Sequence, residues 1–295
     1  MENASSSTST PPPTEVTAGS RLHEAYASDE PFRFRTALGA LWAHRDLVMA
    51  FTRRVLLSRH RQTALGAVWA LVQATSVGVL AALVLRNLVV VPGSGAGSYV
   101  LLVLGGAVAW SFFARTTAMA SASLLEDGVF LDRVWFPREI LPLSRLLAGL
   151  TDLALGVAAF AVAAVASGHR PTLAWLALPL PCALLALAVL AASLGPAALV
   201  VVWRDLTFGI PLALQLGFFA SPVLYPLASM PGGFATAWGI VNPVAGAIDA
   251  LREIVIDGRL PDLSRIAMAF AAAAVTTALS YALLKWLEPT LSDRL

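Results

Sequence analysis

The sequence predicts an all-α integral membrane protein, and three observations support that fold class. The chain of 295 residues is 58% hydrophobic and 13% charged, whereas soluble globular domains carry about 25% charged residues. The mean hydropathy is +0.75. Residues 206–248 form a run of 43 residues without one charged side chain. Because about 20 apolar residues of helix cross the hydrocarbon core of a bilayer, such windows predict membrane-spanning helices.

Six apolar windows predict six transmembrane helices. They cover residues 62–85, 87–114, 146–168, 172–203, 206–227 and 266–284, and one acid, Asp152, interrupts the third window. Six crossings place both termini on the same side of the membrane. If that side is cytoplasmic, 15 of the 20 Lys and Arg residues lie inside and five lie outside, which is the positive-inside bias. We therefore expect a multi-pass protein of the bacterial inner membrane with both termini cytoplasmic.

Two further segments precede the first window. Residues 1–20 are mostly Ser, Thr, Pro and Ala, so we expect residues 1–31 to form a disordered cytoplasmic tail. In residues 32–61, apolar side chains recur at roughly helical spacing, namely Phe34, Leu38, Leu41, Trp42 and Met49. This pattern predicts an amphipathic helix in the membrane interface, with an ordinary soluble amphipathic helix as the alternative. The transmembrane domain is expected over residues 62–288 and a cytoplasmic C-terminus over residues 289–295.

The loop predicted between the second and third spans covers residues 115–145. It combines charged residues with four large apolar side chains, Phe130, Leu131, Trp135 and Phe136. Exposed apolar side chains among charges are typical of a surface that docks a partner. A solvated connecting loop is the alternative.

Residues 222–258, between spans five and six, predict short re-entrant helices. Three prolines interrupt the helical backbone: Pro222, Pro226 and Pro231. Asn242 followed by Pro243 is a strong helix start, and Gly258 is placed to close that helix. The helix over residues 243–256 is too short to cross the membrane. A plain external loop is the alternative.

Aromatic side chains gather in the second and fifth predicted spans. They are Trp110, Phe112 and Phe113 in the former and Phe208, Phe218, Phe219 and Tyr225 in the latter. Aromatic rings stack on the flat apolar faces of sugars, so these rings are candidates for lining a glycan channel. Interfacial anchoring and helix packing are the alternatives.

The composition disfavours several functional classes. Nineteen of the basic residues are Arg, and the single lysine, Lys285, has no glycine nearby. A phosphate-binding P-loop requires G-x-x-x-x-G-K-[ST], so any ATP that drives this protein must be bound by another subunit. Cys182 is the one cysteine and the four histidines lie outside the predicted spans. We expect no catalytic residue, cofactor or metal site in this chain.

Two other classes fit the sequence less well. An ion-driven carrier predicts repeated intramembrane acids or inverted repeats, and neither pattern occurs here. A membrane enzyme acting on lipid-linked sugars would need an acid or histidine cluster facing one leaflet. The outer segments offer only four acids for that role: Asp249, Glu253, Asp257 and Asp262.

Five segments, in order along the chain, resemble signatures of the ABC-2 type permeases that export polysaccharides. They are RHRQTALGAVWALVQ (59–73), VWFPREILPLSRLLAGLTDLALG (134–156), WRDL (203–206), FFASPVLYP (218–226) and NPVAGAIDALRE (242–253). Together they cover the chain from about residue 45 to its end. Two positions depart from the family pattern, since Ala74 stands where the family has Pro and His60 where it has Tyr.

The resemblance implies an assembly and a substrate. A homodimer of this subunit would sit on two separate ABC ATPase subunits, which bind ATP and Mg, and would move a lipid-linked polysaccharide outward. Residues 62–288 would form the ABC-2 type transmembrane domain, with a coupling loop at 115–145 and an external gate at 222–258. A permease for a smaller amphiphile, such as a drug or a lipid, is the alternative.

The resemblance also implies roles for charged residues. A coupling helix seated on the ATPase would carry Glu126, Asp127, Asp132, Arg133, Trp135, Phe136 and Arg138. The interface helix would gate access of the lipid-linked glycan, whose diphosphate has four candidate ligands: Arg53, Arg54, Arg59 and Arg61. Arginine forks suit phosphate oxygens. The alternative role for these arginines is positive-inside topology and contact with anionic lipids.

Overall fold

The computed structural model describes residues 39, 42–60, 96–128 and 136–292. The regular structure in these ranges is helical. The α-helices are α1 (Arg45–His60), α2 (Ala96–Glu126), α3 (Ile140–Ala166), α4 (Pro179–Val202), α5 (Leu206–Ala220), α6 (Gly232–Val241), α7 (Pro243–Val255) and α8 (Leu263–Ser292). Short 3₁₀ helices at Leu173–Ala177 and Leu227–Ser229 precede α4 and α6.

Four helical segments are long and apolar enough to cross a membrane. They are Tyr99–Glu126, Ile140–Ala166, Leu173–Val202 and Leu263–Leu291, and they confirm the predicted second, third, fourth and sixth spans. The predicted first span at residues 62–85 lies outside the described residues, as do the predicted tail at residues 1–31 and residues 293–295.

Helix α2 extends further than its hydropathy predicts. The sequence places the end of this span at residue 114, but the helix continues to Glu126. Arg115 ends the apolar window without removing any backbone hydrogen bond, so it does not end the helix. The turns that follow are held by packing, because Thr116, Ala120 and Leu124 are buried. The predicted 115–145 loop therefore begins inside α2 and ends inside α3, and residues 129–135 lie outside the described residues.

Helix α5 is shorter than the full crossing predicted over residues 206–227. It has 15 residues and ends at Ala220, where Ser221 turns to an extended conformation ahead of Pro222. Proline has no N–H to continue the helical hydrogen bonds. Fifteen residues rise about 22 Å, which is less than the hydrocarbon core of about 30 Å. This part of the chain is therefore a short apolar helix followed by irregular backbone.

Helices α6 and α7 form a sharply bent pair, with 109° between their axes. The bend lies at Asn242, whose side-chain oxygen accepts hydrogen bonds from Val244 N and Ala245 N. Pro243 occupies the first turn, so the predicted helix start is confirmed. Helix α7 ends at Val255, and Gly258 has a positive φ of 67°, a conformation that favours glycine. The pair is too bent to form one straight crossing.

The helices pack closely around α7, ten of whose 13 residues are buried. Small residues bring α2 and α3 together: a Cβ on Gly149 would lie 2.5 Å from Thr116 Oγ1, and one on Gly156 would lie 2.8 Å from Val108 Cγ1. Small residues at such contacts allow helix backbones to approach in membranes. Helix α8 lies along α4, where Ser280 Oγ accepts a hydrogen bond from Gly195 N at 2.7 Å.

Candidate functional site

Ion pairs join several helices at one end of the molecule. We call this the loop end: it comprises α1, the C-terminal ends of α2 and α8, the N-terminal end of α3, and residues 127, 128 and 136–139. Asp127 lies at its centre, with one oxygen 2.6 Å from Arg145 Nη2 and the other 3.2 Å from Arg54 Nη1. The Asp127 and Arg145 side chains are only 8% and 11% exposed. One buried carboxylate thus connects α1, α2 and α3.

A second buried carboxylate, Glu139, lies in the same part of the molecule. Glu139, directly before α3, is 4% exposed. Its oxygens accept hydrogen bonds from Lys285 Nζ at 3.1 Å and from Tyr281 Oη at 3.3 Å, both on α8. Lys285 also pairs with Glu288 at 3.0 Å, and Arg138 donates to the Glu288 carbonyl. The start of α3 is thereby fixed to the end of α8.

The arginines predicted to bind a lipid diphosphate begin on α1. Arg53 and Arg54 both have exposed side chains, and Arg54 is held by Asp127. Arg53 forms no hydrogen bond or ion pair with the part of the chain that the structure describes. The backbone of Arg59 lies in α1, but its side chain, like the whole of Arg61, lies outside the described residues. Helix α1 buries Val48, Thr52 and Val55, so its arginines lie away from that packed face.

The residues predicted to couple to an ATPase are distributed around the loop end. Glu126 is the last residue of α2, and its exposed carboxylate lies 3.3 Å from Arg145 Nη2. Phe136 is buried, with its ring centroid 5.6 Å from that of Phe51 on α1. Arg138 contacts the end of α8 as described above. Three of the predicted residues lie outside the described ranges: Asp132, Arg133 and Trp135.

The structure brings the two predicted aromatic groups together in part. Trp110 lies at the middle of α2, with its ring centroid 5.4 Å from Phe113 and 6.1 Å from Phe218 on α5. Phe218 and Phe219 are 5.3 Å apart. Phe112 packs against α3 instead, where a Cβ added to Gly149 would lie 3.3 Å from its ring. Phe208, near the start of α5, is 81% exposed. Tyr225 lies in the irregular backbone after α5 and donates to the carbonyls of Phe219 and Ala220.

The acids considered for a membrane enzyme are paired with arginines. Arg259 lies 2.7 Å from Glu253 and 3.2 Å from Asp257, and Arg265 lies within 4 Å of Asp249, Glu253 and Asp262. Asp249, Glu253 and Asp262, together with Arg265, line a pocket between α6, α7 and α8 that is partly open to solvent.

Asp262 has a further structural role, because Ser264 donates to it from its hydroxyl and its backbone N–H at the start of α8. These hydrogen bonds hold the pKa of the Asp262 carboxyl below its ordinary value, so it stays ionised at neutral pH. The described residues contain no group of three or more side chains suited to a metal ion.

The sequence did not predict which charged side chains form the most hydrogen bonds and ion pairs in the structure. Lys285 entered only in the P-loop argument and in the count of charges for orientation, Arg252 entered only in that count and within the segment 242–253, and Glu139 was not singled out. Arg252 is 6% exposed and donates three hydrogen bonds to backbone carbonyls. The available signal was that each basic residue lies in an apolar helix, where a charge requires bonded partners.

Comparison with known proteins identifies the family. The chain matches the family described as ABC-2 type transporter over residues 46–256. It is 27% identical over 236 residues to the O-antigen export system permease protein RfbA of Myxococcus xanthus, covering 80% of this chain and 89% of that protein. It is 24% identical over 219 residues to the O-antigen export system permease protein RfbA of Klebsiella pneumoniae, covering 73% and 82%. The resemblance found in five sequence segments is thus confirmed, and the chain belongs to the ABC-2 type transporter family.

Proposed function

We propose that this chain is the membrane subunit of an ABC exporter that moves a lipid-linked polysaccharide out of the cell. The observation that carries the proposal is the similarity, along 80% of the chain, to a protein named as an O-antigen export permease. Two copies of the chain would form the pore in the bacterial inner membrane, with both termini and the loop end in the cytoplasm. A separate ABC ATPase subunit would bind ATP and Mg and supply the force.

The loop end is suited to receive that force. Residues 129–135 join two points that are bonded to other helices, since Asp127 binds α1 and α3 while Glu139 binds α8. An ATPase that displaces this loop would therefore move four helices together. We assign the docking surface to Glu126, Asp127, Asp132, Arg133, Trp135, Phe136 and Arg138. The bent pair α6–α7, with the irregular residues before it, would close the pore on the external side.

The substrate would be recognised in two chemically different places. Arg53 and Arg54 on α1, together with Arg59 and Arg61, would bind the lipid diphosphate at the membrane surface, since guanidinium groups pair well with phosphate oxygens. Trp110 and Phe113 are buried and pack against Phe218. Among the candidate rings, the exposed Phe208 and Phe219 would therefore offer sugar-stacking faces along the path of the glycan.

Reconstitution tests the proposed function. The chain is purified with the ABC ATPase that accompanies it and placed in vesicles with a fluorescent polyprenyl-diphosphate oligosaccharide. We expect ATP-dependent transfer of the oligosaccharide across the bilayer, and no transfer when the ATPase is inactivated at its catalytic glutamate. Transfer at full rate by the chain alone would contradict the proposal. Transfer of labelled lipid but not of the oligosaccharide would instead identify a permease for smaller amphiphiles.

A single substitution tests the assignment of the diphosphate site. In Arg53→Gln, we expect the apparent affinity for the lipid diphosphate to fall about tenfold, because one charge-assisted hydrogen bond is lost. The melting temperature should not change, since Arg53 is exposed. Arg45→Gln is the matched control, because Arg45 is another exposed arginine of the same helix. Equal losses of affinity in both variants would show that the arginines act only through the overall positive charge.

A further inference from the structure

The irregular backbone after α5 has three successive carbonyl groups that no helix satisfies. We call residues 221–226 the break. Its Val223 and Tyr225 carbonyls accept hydrogen bonds from the Arg252 guanidinium at 2.8 and 3.1 Å. The Leu224 carbonyl between them accepts a hydrogen bond from Tyr99 Oη at 2.9 Å. Non-helical backbone at membrane depth requires such partners, and here two side chains supply all three.

Arg252 also fixes the break to α2. Its Nε donates to the Leu102 carbonyl at 2.9 Å. One guanidinium, carried by α7, is therefore hydrogen-bonded to both the break and α2. Helix α2 approaches the break closely at Gly106, where a Cβ would lie 2.7 Å from both Arg252 Nη2 and the Val223 carbonyl oxygen. Only glycine leaves room for the guanidinium at this crossing.

The helix that carries Arg252 and the helix that precedes the break differ in packing. Helix α7, which carries Arg252, has ten of its 13 residues buried. Helix α5, which precedes the break, has no buried residue, and four apolar side chains along it are exposed: Phe208, Leu212, Leu216 and Phe219. The break therefore follows a loosely packed helix and is hydrogen-bonded to a side chain of a firmly packed one. A change in the position of α5 would act on the hydrogen bonds of the break.

We propose that Arg252 is a positioning residue that, together with Tyr99, holds the break closed against α2. The external mouth of the pore opens when the carbonyls of Val223, Leu224 and Tyr225 leave these donors. The statement that the break forms the external mouth of a pore rests on the proposed function. The state of the break itself is measurable without any transport assay.

A cysteine reporter tests the proposal. Val223→Cys places a thiol at a fully buried position without altering the carbonyls, in a Cys182→Ala background that removes the chain's one cysteine. The protein is purified in detergent with the subunits that accompany it, and its reaction rate with a bulky polar maleimide is measured. In detergent both faces are accessible, so the rate does not depend on membrane orientation.

Two variants are expected to speed labelling on the order of tenfold, the effect of losing about one net hydrogen bond. Arg252→Lys keeps the charge but loses the planar fork that reaches three carbonyls. Gly106→Ala retains every donor and displaces the break by its new methyl group. Gly105→Ala is the matched control, because its methyl would meet the ring of Phe160 on α3 instead, and its labelling should match that of the parent.

The results separate the two proposals. Parent-like labelling in Gly106→Ala would overturn the role of Arg252, as would equal acceleration in Gly105→Ala. If Arg252→Lys does not fold, Gly106→Ala decides alone. In the complex with its ATPase, ATP hydrolysis should also accelerate labelling of the parent. If the variants behave as expected but ATP has no effect, the closed break stands and its identification with the external mouth is wrong, whereas the proposed function is decided by the reconstituted transfer assay.

Discussion

Replacing Asp127 by alanine is expected to lower the free energy of unfolding by about 3 kcal/mol, because it leaves the buried Arg145 guanidinium without its closest acid. The same change removes the ion pair that links Arg54 on α1 to this carboxylate. In the assembled transporter we therefore expect ATP hydrolysis to continue while transport stops. Thermal or denaturant unfolding in detergent measures the first effect, and the ratio of transport to hydrolysis measures the second.

Glu126→Ala is the matched control for Asp127→Ala. The two acids are adjacent and pair with the same nitrogen of Arg145, but the Glu126 side chain is 57% exposed and that of Asp127 is 8% exposed. Solvent screens an exposed pair, so it contributes little to stability. Removing Glu126 should leave the free energy of unfolding close to that of the parent. A loss of equal size in the two variants would show that only the total charge of the loop end matters.

Replacing Lys285 by methionine is expected to have an effect of similar size. Glu139 is 4% exposed, and without Lys285 its carboxylate retains only Tyr281 as a donor within the described contacts. An uncompensated buried charge destabilises by about 3 kcal/mol. Because this pair fixes the start of α3 to α8, we also expect ATP hydrolysis to become uncoupled from transport. Differential scanning fluorimetry and the reconstituted transport assay provide the two measurements.

A double variant tests whether the loss of stability comes from an unpaired buried charge. Glu139→Gln combined with Lys285→Met removes both charges, so no unpaired charge stays buried and most of the lost stability should return. Glu288→Gln controls for the second partner of Lys285 and should have little effect, since Lys285 keeps its contact with Glu139. If the double variant loses the sum of the two single losses, the ion-pair interpretation is wrong.

The elements predicted correctly from sequence depend on local chemistry. Asn242 and Pro243 fix the start of α7 through hydrogen bonds within three residues. The spans α3, α4 and α8 follow from apolar windows of sufficient length. Helix α2 was predicted too short because hydropathy reports the extent of apolar surface, whereas a helix ends where its backbone hydrogen bonds end.

The candidate site depends on contacts between residues far apart in sequence. Arg252 and Leu102 are 150 positions apart, and Lys285 and Glu139 are 146 apart. Arg252 therefore looked like an external topology marker, although its guanidinium is surrounded by carbonyls. Likewise, Trp110 and Phe218 belonged to separate predicted spans until packing placed their rings in contact. Such pairings follow from how helices assemble, which one sequence does not specify.

The composition of this chain turns one of its ion pairs into a chemical reporter. Lys285 is the single lysine among 295 residues, so its ε-amine is the only side-chain primary amine available to an acylating reagent. That amine is bonded to Glu139 and Glu288 when the loop end is intact, and an amine engaged in this way is a poor nucleophile. The rate of acylation at Lys285, read by mass spectrometry, therefore follows the opening of this ion pair in the unmodified protein.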